Sequence, residues 1–220
     1  MENCIFCDAL KNGDSVFETE NFFIKLGKGI VCTGHCMIIT KKHYKCMGDM
    51  DTDIVSEYLD LKTKLISFLS KHFYKPFVEE HGVIMQSVFH AHTHFIPRKS
   101  KYYDELNLLE KMILEPTNNI GVELEKISNF DGVIECFKQE GEYLYFEQDE
   151  ECFLLRTKKY TNLIDKIKDD INYRFFFSNL GIKGVRDWKT MTEDDLKLDK
   201  IRIEETADVF RKFGKDLLSK

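Results

Sequence analysis

The chain has 220 residues, of which 43% are hydrophobic and 13% aromatic. This composition predicts a folded protein with one elaborated domain or two small ones, and excludes a chain that is disordered throughout. The 32 basic and 38 acidic residues give a net charge of −6. Because no overall positive field would attract nucleic acid or an anionic membrane, we expect any anion to be bound at a local site.

The sequence contains no signal for export or membrane insertion. No stretch reaches the roughly 18 consecutive apolar residues of a membrane span, and the first residues lack the basic region and apolar run of a signal peptide. Seven cysteines is an odd number, which argues against a disulfide framework and favours reduced thiols or metal ligands. We therefore expect a cytoplasmic protein with no membrane partner.

The first hundred residues have the pattern of a mixed α+β unit. Short apolar runs predict strands over 21–26, 36–40, 83–85 and 88–96. Apolar residues at helical spacing predict a helix between residues 54 and 73. A short helix is predicted over 106–114, followed by a break at 116–119. We place a soft boundary there, between a domain of residues 1–115 and an extension of residues 116–220.

The extension has the pattern of an α/β unit, with a hairpin followed by helices. Two apolar runs flank an acidic turn within residues 143–155, which predicts an antiparallel hairpin. Helices are predicted over 161–180 and 200–218 from their apolar spacing. Thr192 and Asp195 have the spacing of a capping box, which predicts a shorter helical segment before the last helix.

Three histidines alternate with other residues in the second half of the first domain. In a strand, His90, His92 and His94 would point to the same face, with neighbouring Cα atoms roughly 6.6 Å apart. A single buried imidazole is common in protein cores, but three on one face each need a polar partner. The pattern therefore indicates a metal site, nucleophilic or acid–base chemistry, or both.

This segment resembles the signature of the histidine triad (HIT) superfamily, His-x-His-x-His preceded by Gln-Ser and trailed by Pro-Arg. The matching residues are Gln86, Ser87, His90, His92, His94, Pro97 and Arg98. Residues 34–43 are similar to a second family motif, Gly-His-x-hydrophobic-Pro-Lys-x-His, with Thr40 in the place of proline. The resemblance covers about residues 4–98 and implies a HIT-like antiparallel sheet with packed helices.

The resemblance implies a nucleotide hydrolase or nucleotidyl transferase that acts at an α-phosphate through a covalent nucleotidyl-histidine. His92 maps to the nucleophile, which would split one difficult displacement into two easier ones. His94 would bind the phosphate oxygens, while His90 and His35 would orient the nucleophilic ring. Candidate substrates are phosphoramidates, dinucleoside polyphosphates and adenylylated groups. The residues expected to contact the phosphate or the leaving group are Gln86, Ser87, His94 and Arg98.

Cys4 and Cys7 form a Cys-x-x-Cys motif near the start of the chain. Zinc-containing HIT proteins look similar, because they pair such a motif with the histidines equivalent to His43 and His90. The resemblance thus implies one structural zinc ion per chain, held by two thiolates and two imidazoles with no open position. The alternative is a pair of reduced thiols on a frayed terminus.

The chain differs from the usual family pattern at two places. Gly27 stands about eight positions before His35, where many HIT proteins carry an acidic residue that holds the ribose. Residues 78–82 replace the usual Asn-x-Gly segment, and with the long extension they look more like the divergent branch that includes CwfJ-type RNA-processing proteins. His81 within that segment is either a site residue or a turn residue.

Two alternatives to an enzyme stay open. The first is a non-catalytic nucleotide- or RNA-binding module, and the second is a protein that only binds metal, with more than one ion per chain. Arg186 and Trp188 suit phosphate contact and base stacking, and equally suit a surface loop. We interpret the chain as a HIT-type enzyme with a nucleotide substrate, because a scaffold has no need to retain the complete triad with Ser87 and His35. A homodimer is expected unless the extension covers the pairing surface.

Overall fold

A computed structural model describes residues 4–185, 187 and 189–218. Within these residues one antiparallel sheet of eight strands runs through the molecule, which confirms the predicted α+β class. The strand order is β1-β2-β3-β5-β4-β7-β8-β6. The strands are β1 (Phe17–Glu18), β2 (Phe22–Lys25), β3 (Cys36–Thr40), β4 (Pro76–Glu80), β5 (His92–Pro97), β6 (Glu125–Ile127), β7 (Leu144–Gln148) and β8 (Glu151–Leu155).

Helices cover both faces of this sheet. The α-helices are α1 (Ile5–Lys11), α2 (Val55–His72), α3 (Glu115–Asn119), α4 (Asp131–Glu140), α5 (Ile164–Asp170), α6 (Tyr173–Asn179) and α7 (Glu193–Phe213). A π-helical segment, Leu109–Leu114, leads into α3. Four 3-10 segments complete the helical structure: Met47–Asp49, Thr52–Ile54, Thr157–Leu163 and Gly214–Leu218. None of the described helices combines the length and the hydropathy needed to span a bilayer.

Side chains that alternate along β2 and β3 divide between two apolar layers. Phe22, Ile24 and Ile38 face α2 and the larger core, where Tyr58 is fully buried. The intervening side chains, Phe23, Met37 and Ile39, form a smaller cluster with Phe6 of α1. The strand period of two thus gives each face of this end of the sheet its own apolar contacts.

The structure corrects two strand predictions around the histidines. Residues 83–85 form a turn, because Gly82 has a φ of +51° and its backbone lies against that of Tyr143, leaving no room for a Cβ. The strand predicted over 88–96 begins at His92 as β5. His90 therefore precedes the strand, and its side chain is free to point away from the face that His92 and His94 share.

Helix boundaries in the extension also differ from the prediction. The expected break at 116–119 is helical, because Pro116 lies in the first turn of α3, where its missing N–H is not needed. The helix predicted over 161–180 is interrupted, since the Asn172 side chain accepts hydrogen bonds from the amides of Arg174 and Phe175 and starts α6.

The last helix begins earlier than its apolar spacing indicates. The predicted capping box is present, because the Thr192 side chain accepts from the Asp195 amide and the Asp195 side chain accepts from the Thr192 amide. This capping box starts α7 itself instead of a separate short helix. The α-helix ends at Phe213, and a 3-10 segment continues to Leu218.

The extension is built into the sheet and into the loop before His35. The hairpin of β7 and β8 confirms its prediction, and β7 pairs with β4 in the register Glu79↔Phe146. On α7, Asp199 Oδ1 accepts the amide hydrogen of Ile30 at 2.9 Å, and Thr206 Oγ1 accepts that of Gly34 at 2.9 Å. The loop leading to His35 is therefore held by residues far along the chain. The boundary at residue 115 stays a prediction.

Glu80 at the end of β4 makes the stability of this fold depend on pH. The side chain is fully buried, its Oε1 accepts the Met47 amide hydrogen at 3.2 Å, and burial raises its pKa from 4.5 to about 7. The folded chain binds this proton more tightly than the unfolded chain does. Stability from Glu80 is therefore present below pH 4.5 and is lost as the pH rises to about 7.

We expect Glu80→Gln to remove this loss, so that the variant gains stability relative to the parent between pH 5 and pH 8. One unit of pKa shift corresponds to about 1.4 kcal/mol, which sets the scale of the gain. Urea unfolding at both pH values measures it, with the exposed Glu20→Gln as the control. Identical pH dependence in the parent and Glu80→Gln would contradict the assignment.

Candidate active site and metal cluster

A cavity of about 320 Å³ opens on the face of the sheet that carries α1, which is within the range of about 300–1,000 Å³ typical of small-molecule sites. Side chains from α1, from the loop after β2 and from α6 form its walls. The predicted site residues that line it are His35, Ser87, His92 and His94. The structure thus brings together four residues that are separated by up to 59 positions in the sequence.

Two of these histidines reach the cavity because they lie two residues apart on β5. In the sheet, His92 is opposite Ile39 and His94 is opposite Met37, so their side chains belong to the face covered by α1. Phe6 of α1 packs edge-on against the His92 ring, with 5.1 Å between ring centroids. The apolar cluster under α1 therefore fixes the wall against which His92 stands.

The His92 ring is held by a single backbone contact. Its Nδ1 lies 2.7 Å from the carbonyl oxygen of His90, so Nδ1 carries the hydrogen and donates it. The second ring nitrogen, Nε2, is then unprotonated whenever the ring is neutral. Burial lowers the pKa of His92 to about 3, which keeps the ring neutral at ordinary pH. His92 Nε2 is therefore a free base beside the cavity.

His35 and His94 form a second hydrogen-bonded unit with a defined tautomer. The Val31 amide donates to His35 Nδ1 at 3.2 Å, so the hydrogen of the neutral His35 ring lies on Nε2. His35 Nε2 donates in turn to His94 Nδ1 at 3.1 Å, which leaves the His94 hydrogen on its Nε2. Burial lowers the pKa of His35 to about 3 and that of His94 well below its usual value. The neutral His94 ring can thus donate a hydrogen bond from its Nε2, whereas the neutral His92 ring has a lone pair on its Nε2.

The fourth candidate histidine, His90, belongs to a separate cluster with Cys4, Cys7 and His43. All four ligand atoms lie within 4.8 Å of one another, and both sulfurs are near the same nitrogen: His90 Nδ1 is 3.3 Å from Cys4 Sγ and 3.6 Å from Cys7 Sγ. His90 Nε2 lies 2.7 Å from the Thr40 carbonyl oxygen and donates to it, which leaves Nδ1 for a ligand. These four residues could hold a metal ion.

The structure does not bring Gln86 or Arg98 into the cavity. Gln86 is buried and its Nε2 donates to the Lys45 carbonyl oxygen at 2.9 Å. Arg98 lies six residues beyond His92, about 20 Å along the strand direction, and its guanidinium pairs with Asp149 at 2.9 Å. Their predicted phosphate contacts have no support in this placement.

Several residues around the cavity were not predicted from the sequence. Tyr173 is buried with its ring centroid 5.5 Å from that of His94, and Arg174 lines the cavity beside it. Glu79 is opposite His94 in the sheet and is fully buried, with His81 Nε2 3.4 Å from its Oε1. His81 is thus near the site, as one of its two interpretations required.

The sequence indicates where helix α6 begins, but it does not indicate which residues the helix packs against. Asn172 is a good N-cap, so the beginning of α6 at Tyr173 was readable from local chemistry. Nothing local indicates that this helix packs against histidines about 80 residues earlier. The predicted roles of Arg186 and Trp188 lie outside the described residues.

The tautomers assigned above give a direct spectroscopic expectation. In long-range ¹H–¹⁵N spectra of the ¹⁵N-labelled protein at pH 7, we expect hydrogen on Nδ1 of His92 and on Nε2 of His35 and His94. His35→Phe removes the donor to His94 and should change the His94 pattern while leaving that of His92 unchanged. A His94 ring with its hydrogen on Nδ1 in the parent protein would contradict the hydrogen-bond chain.

The first part of the chain is similar to known proteins. The profile of the HIT domain matches residues 11–101. "Protein hit" of Bacillus subtilis is 31% identical over 109 residues, which are 46% of this chain and 74% of that protein. A Zn-bound histidine triad family protein from Mycobacterium smegmatis is 22% identical, with a TM-score of 0.39 over 45% of this chain and 77% of that one. A HIT family hydrolase from Clostridium thermocellum is 20% identical, with a TM-score of 0.39 over 48% and 99%. The extent of the match to the Bacillus protein shows that this chain belongs to the HIT family.

Proposed function

We propose that the chain is a nucleotide hydrolase or nucleotidyl transferase that acts at an α-phosphate through a covalent bond to His92. The observation that carries the proposal is the hydrogen bond from His92 Nδ1 to the His90 carbonyl oxygen. It holds Nε2 in the one state that can attack phosphorus, a neutral nitrogen with a lone pair. Membership of the HIT family supports the same chemistry.

In the first step, a lone pair of His92 Nε2 forms a bond to the α-phosphorus of a nucleotide. The bond from that phosphorus to the leaving group breaks, and its electron pair departs with the leaving group. The imidazole then carries a positive charge and keeps its hydrogen on Nδ1. The His90 carbonyl oxygen, 2.7 Å away, faces that hydrogen and stabilises the charge that develops on the ring.

In the second step, the oxygen of water or of another acceptor attacks the same phosphorus. The bond to Nε2 breaks, its electron pair returns to the nitrogen, and one acceptor proton is released to solvent. His94 Nε2–H is placed to donate to a phosphoryl oxygen in both steps, because the chain from Val31 through His35 fixes its tautomer. Ser87 lines the same cavity and supplies a hydroxyl donor.

We also propose that the cluster of Cys4, Cys7, His43 and His90 binds one structural zinc ion. Tetrahedral zinc with bonds of about 2.0–2.3 Å holds its ligand atoms roughly 3.3–3.8 Å apart. The observed separations of 3.3 and 3.6 Å fit this requirement. Zinc bound there would fix His90, and with it the carbonyl oxygen that orients His92, without taking part in the reaction.

Other features of the proposal rest on sequence alone. The likeness of the extension to CwfJ-type proteins, a nucleic-acid partner, a homodimer and a cytoplasmic location stay predictions. A non-catalytic nucleotide-binding protein is the main competing function, and the first experiment below distinguishes it from an enzyme.

We expect His92→Asn to lower turnover by about 10³-fold or more, because the side chain that forms the covalent bond is gone. The assay uses phosphoramidates, dinucleoside polyphosphates and adenylylated nucleic acid ends. Retained AMP binding shows that the variant is folded, and His72→Asn, outside the cavity, is the matched histidine control. Turnover that persists in His92→Asn would refute the mechanism, and binding without turnover in the parent would favour the non-catalytic alternative.

For the metal, we expect one zinc ion per purified chain by elemental analysis. Cys7→Ser should reduce this content and lower the melting temperature, because it removes one of four ligands. Cys152→Ser is the control, since its sulfur lies 3.4 Å from the Tyr145 hydroxyl, apart from the cluster. A parent protein without zinc would contradict the site, and more than one ion per chain would support the metal-binding alternative.

A further inference from the structure

A second cavity, of about 460 Å³, adjoins the first at the end where the histidines lie. The two cavities share Ser87, Tyr173 and Arg174. The second one is lined on one side by residues just before β5 and on the other by α6 and the segment that follows it. The extension thus creates a space that opens next to the proposed reaction centre.

Arg174 contributes a cation at the junction of the two cavities. Arg174 lines both cavities next to Tyr173, whose ring centroid lies 5.7 Å from that of His35 and 5.5 Å from that of His94. Its guanidinium carbon lies 4.7 Å from the centroid of the Tyr173 ring. No carboxylate of the described residues forms an ion pair with Arg174, and its buried Nε has no hydrogen-bond partner.

A buried guanidinium N–H without an acceptor is costly, so its acceptor is expected to come from a ligand. The planar fork of arginine suits the oxygens of a phosphate. Asn172 Oδ1 accepts the backbone amide hydrogen of Arg174 at 3.0 Å, which fixes its main chain, and the Tyr173 ring packs against the guanidinium. The cation is therefore held in place for an anion at the junction.

The lining of the second cavity indicates what lies beyond that anion. Phe175 is 60% exposed at this cavity, which is unusual for a large apolar side chain and suits stacking on a base. Asp187 also lines the cavity and would repel an anion placed near it. A phosphate is therefore expected beside Arg174, which supplies the cation, and a base-like group beside Phe175, which supplies the exposed ring.

We propose that Arg174 and the second cavity form the binding site for the leaving group, and that this leaving group bears a phosphate. The proposal rests on the proposed function, because it assigns the group that departs when His92 attacks. The bond that breaks joins the α-phosphorus to a bridging oxygen, whose electron pair stays with the departing phosphate. Arg174 stabilises that new negative charge, so this departure needs no proton. An amine leaving group would instead need a proton and would gain little from Arg174.

The test compares two substrates that share adenosine and an α-phosphate. Diadenosine triphosphate releases ADP, whereas adenosine 5′-phosphoramidate releases ammonia, which must take up a proton as it departs. We expect Arg174→Gln to lower kcat/KM for diadenosine triphosphate on the order of 100-fold, and to lower that for the phosphoramidate far less. The ratio of the two kcat/KM values should therefore change at least tenfold, and Arg174→Lys should restore part of it.

Two further variants separate this role from a general structural one. Phe175→Ala should raise KM for diadenosine triphosphate while kcat is largely kept, because stacking is lost and the charged contact remains. Arg211→Gln removes an exposed arginine that pairs with Asp208 outside both cavities, and should leave the ratio unchanged. Equal losses on both substrates in Arg174→Gln, or no loss on either, would overturn the proposal.

Failure of the proposed function has a different signature. If the parent protein turns over neither substrate, the mechanism at His92 fails, and the leaving-group site is then tested by equilibrium binding. The parent should bind diadenosine triphosphate more tightly than AMP, and Arg174→Gln should lose that preference. The same preference in the parent and in the variant would refute the site independently of catalysis.

Discussion

The hydrogen bond between His92 Nδ1 and the His90 carbonyl oxygen is the contact on which the site depends. This hydrogen bond orients the His92 ring only if His90 itself is fixed. Two sets of contacts fix His90. His90 Nε2 donates to the Thr40 carbonyl oxygen, and His90 Nδ1 faces the sulfurs of Cys4 and Cys7. The first histidine of the triad is therefore a support, and the third is a donor. The three histidines of the pattern thus make three different sets of hydrogen bonds.

The extension contributes to the same site from two sides. Helix α7 holds the loop before His35 through Asp199 and Thr206, and α6 places Tyr173 and Arg174 at the end of the cavity. The strands β7 and β8 add to the sheet beside β4, which carries Glu79 opposite His94. Without the extension, the edge of β4 that pairs with β7 would be unpaired, and the loop before His35 would lose its hydrogen bonds to α7. The second half of the chain thus packs directly on the first.

Much of the fold is predictable from residue types and their local spacing. The strand Cys36–Thr40, the long helix α2 and the capping box at Thr192 follow from apolar period and side-chain type alone. The clustering of Cys4, Cys7, His43 and His90 was expected from a resemblance between motifs, and the structure brings these residues together. Each of these features follows from the residue types and spacings of the motifs themselves.

The features that the sequence did not predict depend on contacts between distant segments. The strand β5 starts at His92 because the turn at Gly82 and the contacts of His90 with Cys4 and Cys7 keep the preceding residues out of the sheet. No local periodicity in the sequence indicates these contacts. Pro116 was read as a break, although proline is tolerated in a first helical turn. The placement of Arg174 in the wall of the cavity that three histidines also line results from the packing of α6, and the sequence around it has no catalytic pattern.

Isolating the covalent intermediate would establish whether His92 forms a bond to the nucleotide. The protein would be mixed with substrate, stopped at alkaline pH to preserve a phosphorus–nitrogen bond, digested and sequenced by tandem mass spectrometry. The account predicts a nucleoside monophosphate attached to His92. Attachment to another residue, or steady turnover without any attachment to His92, would contradict it.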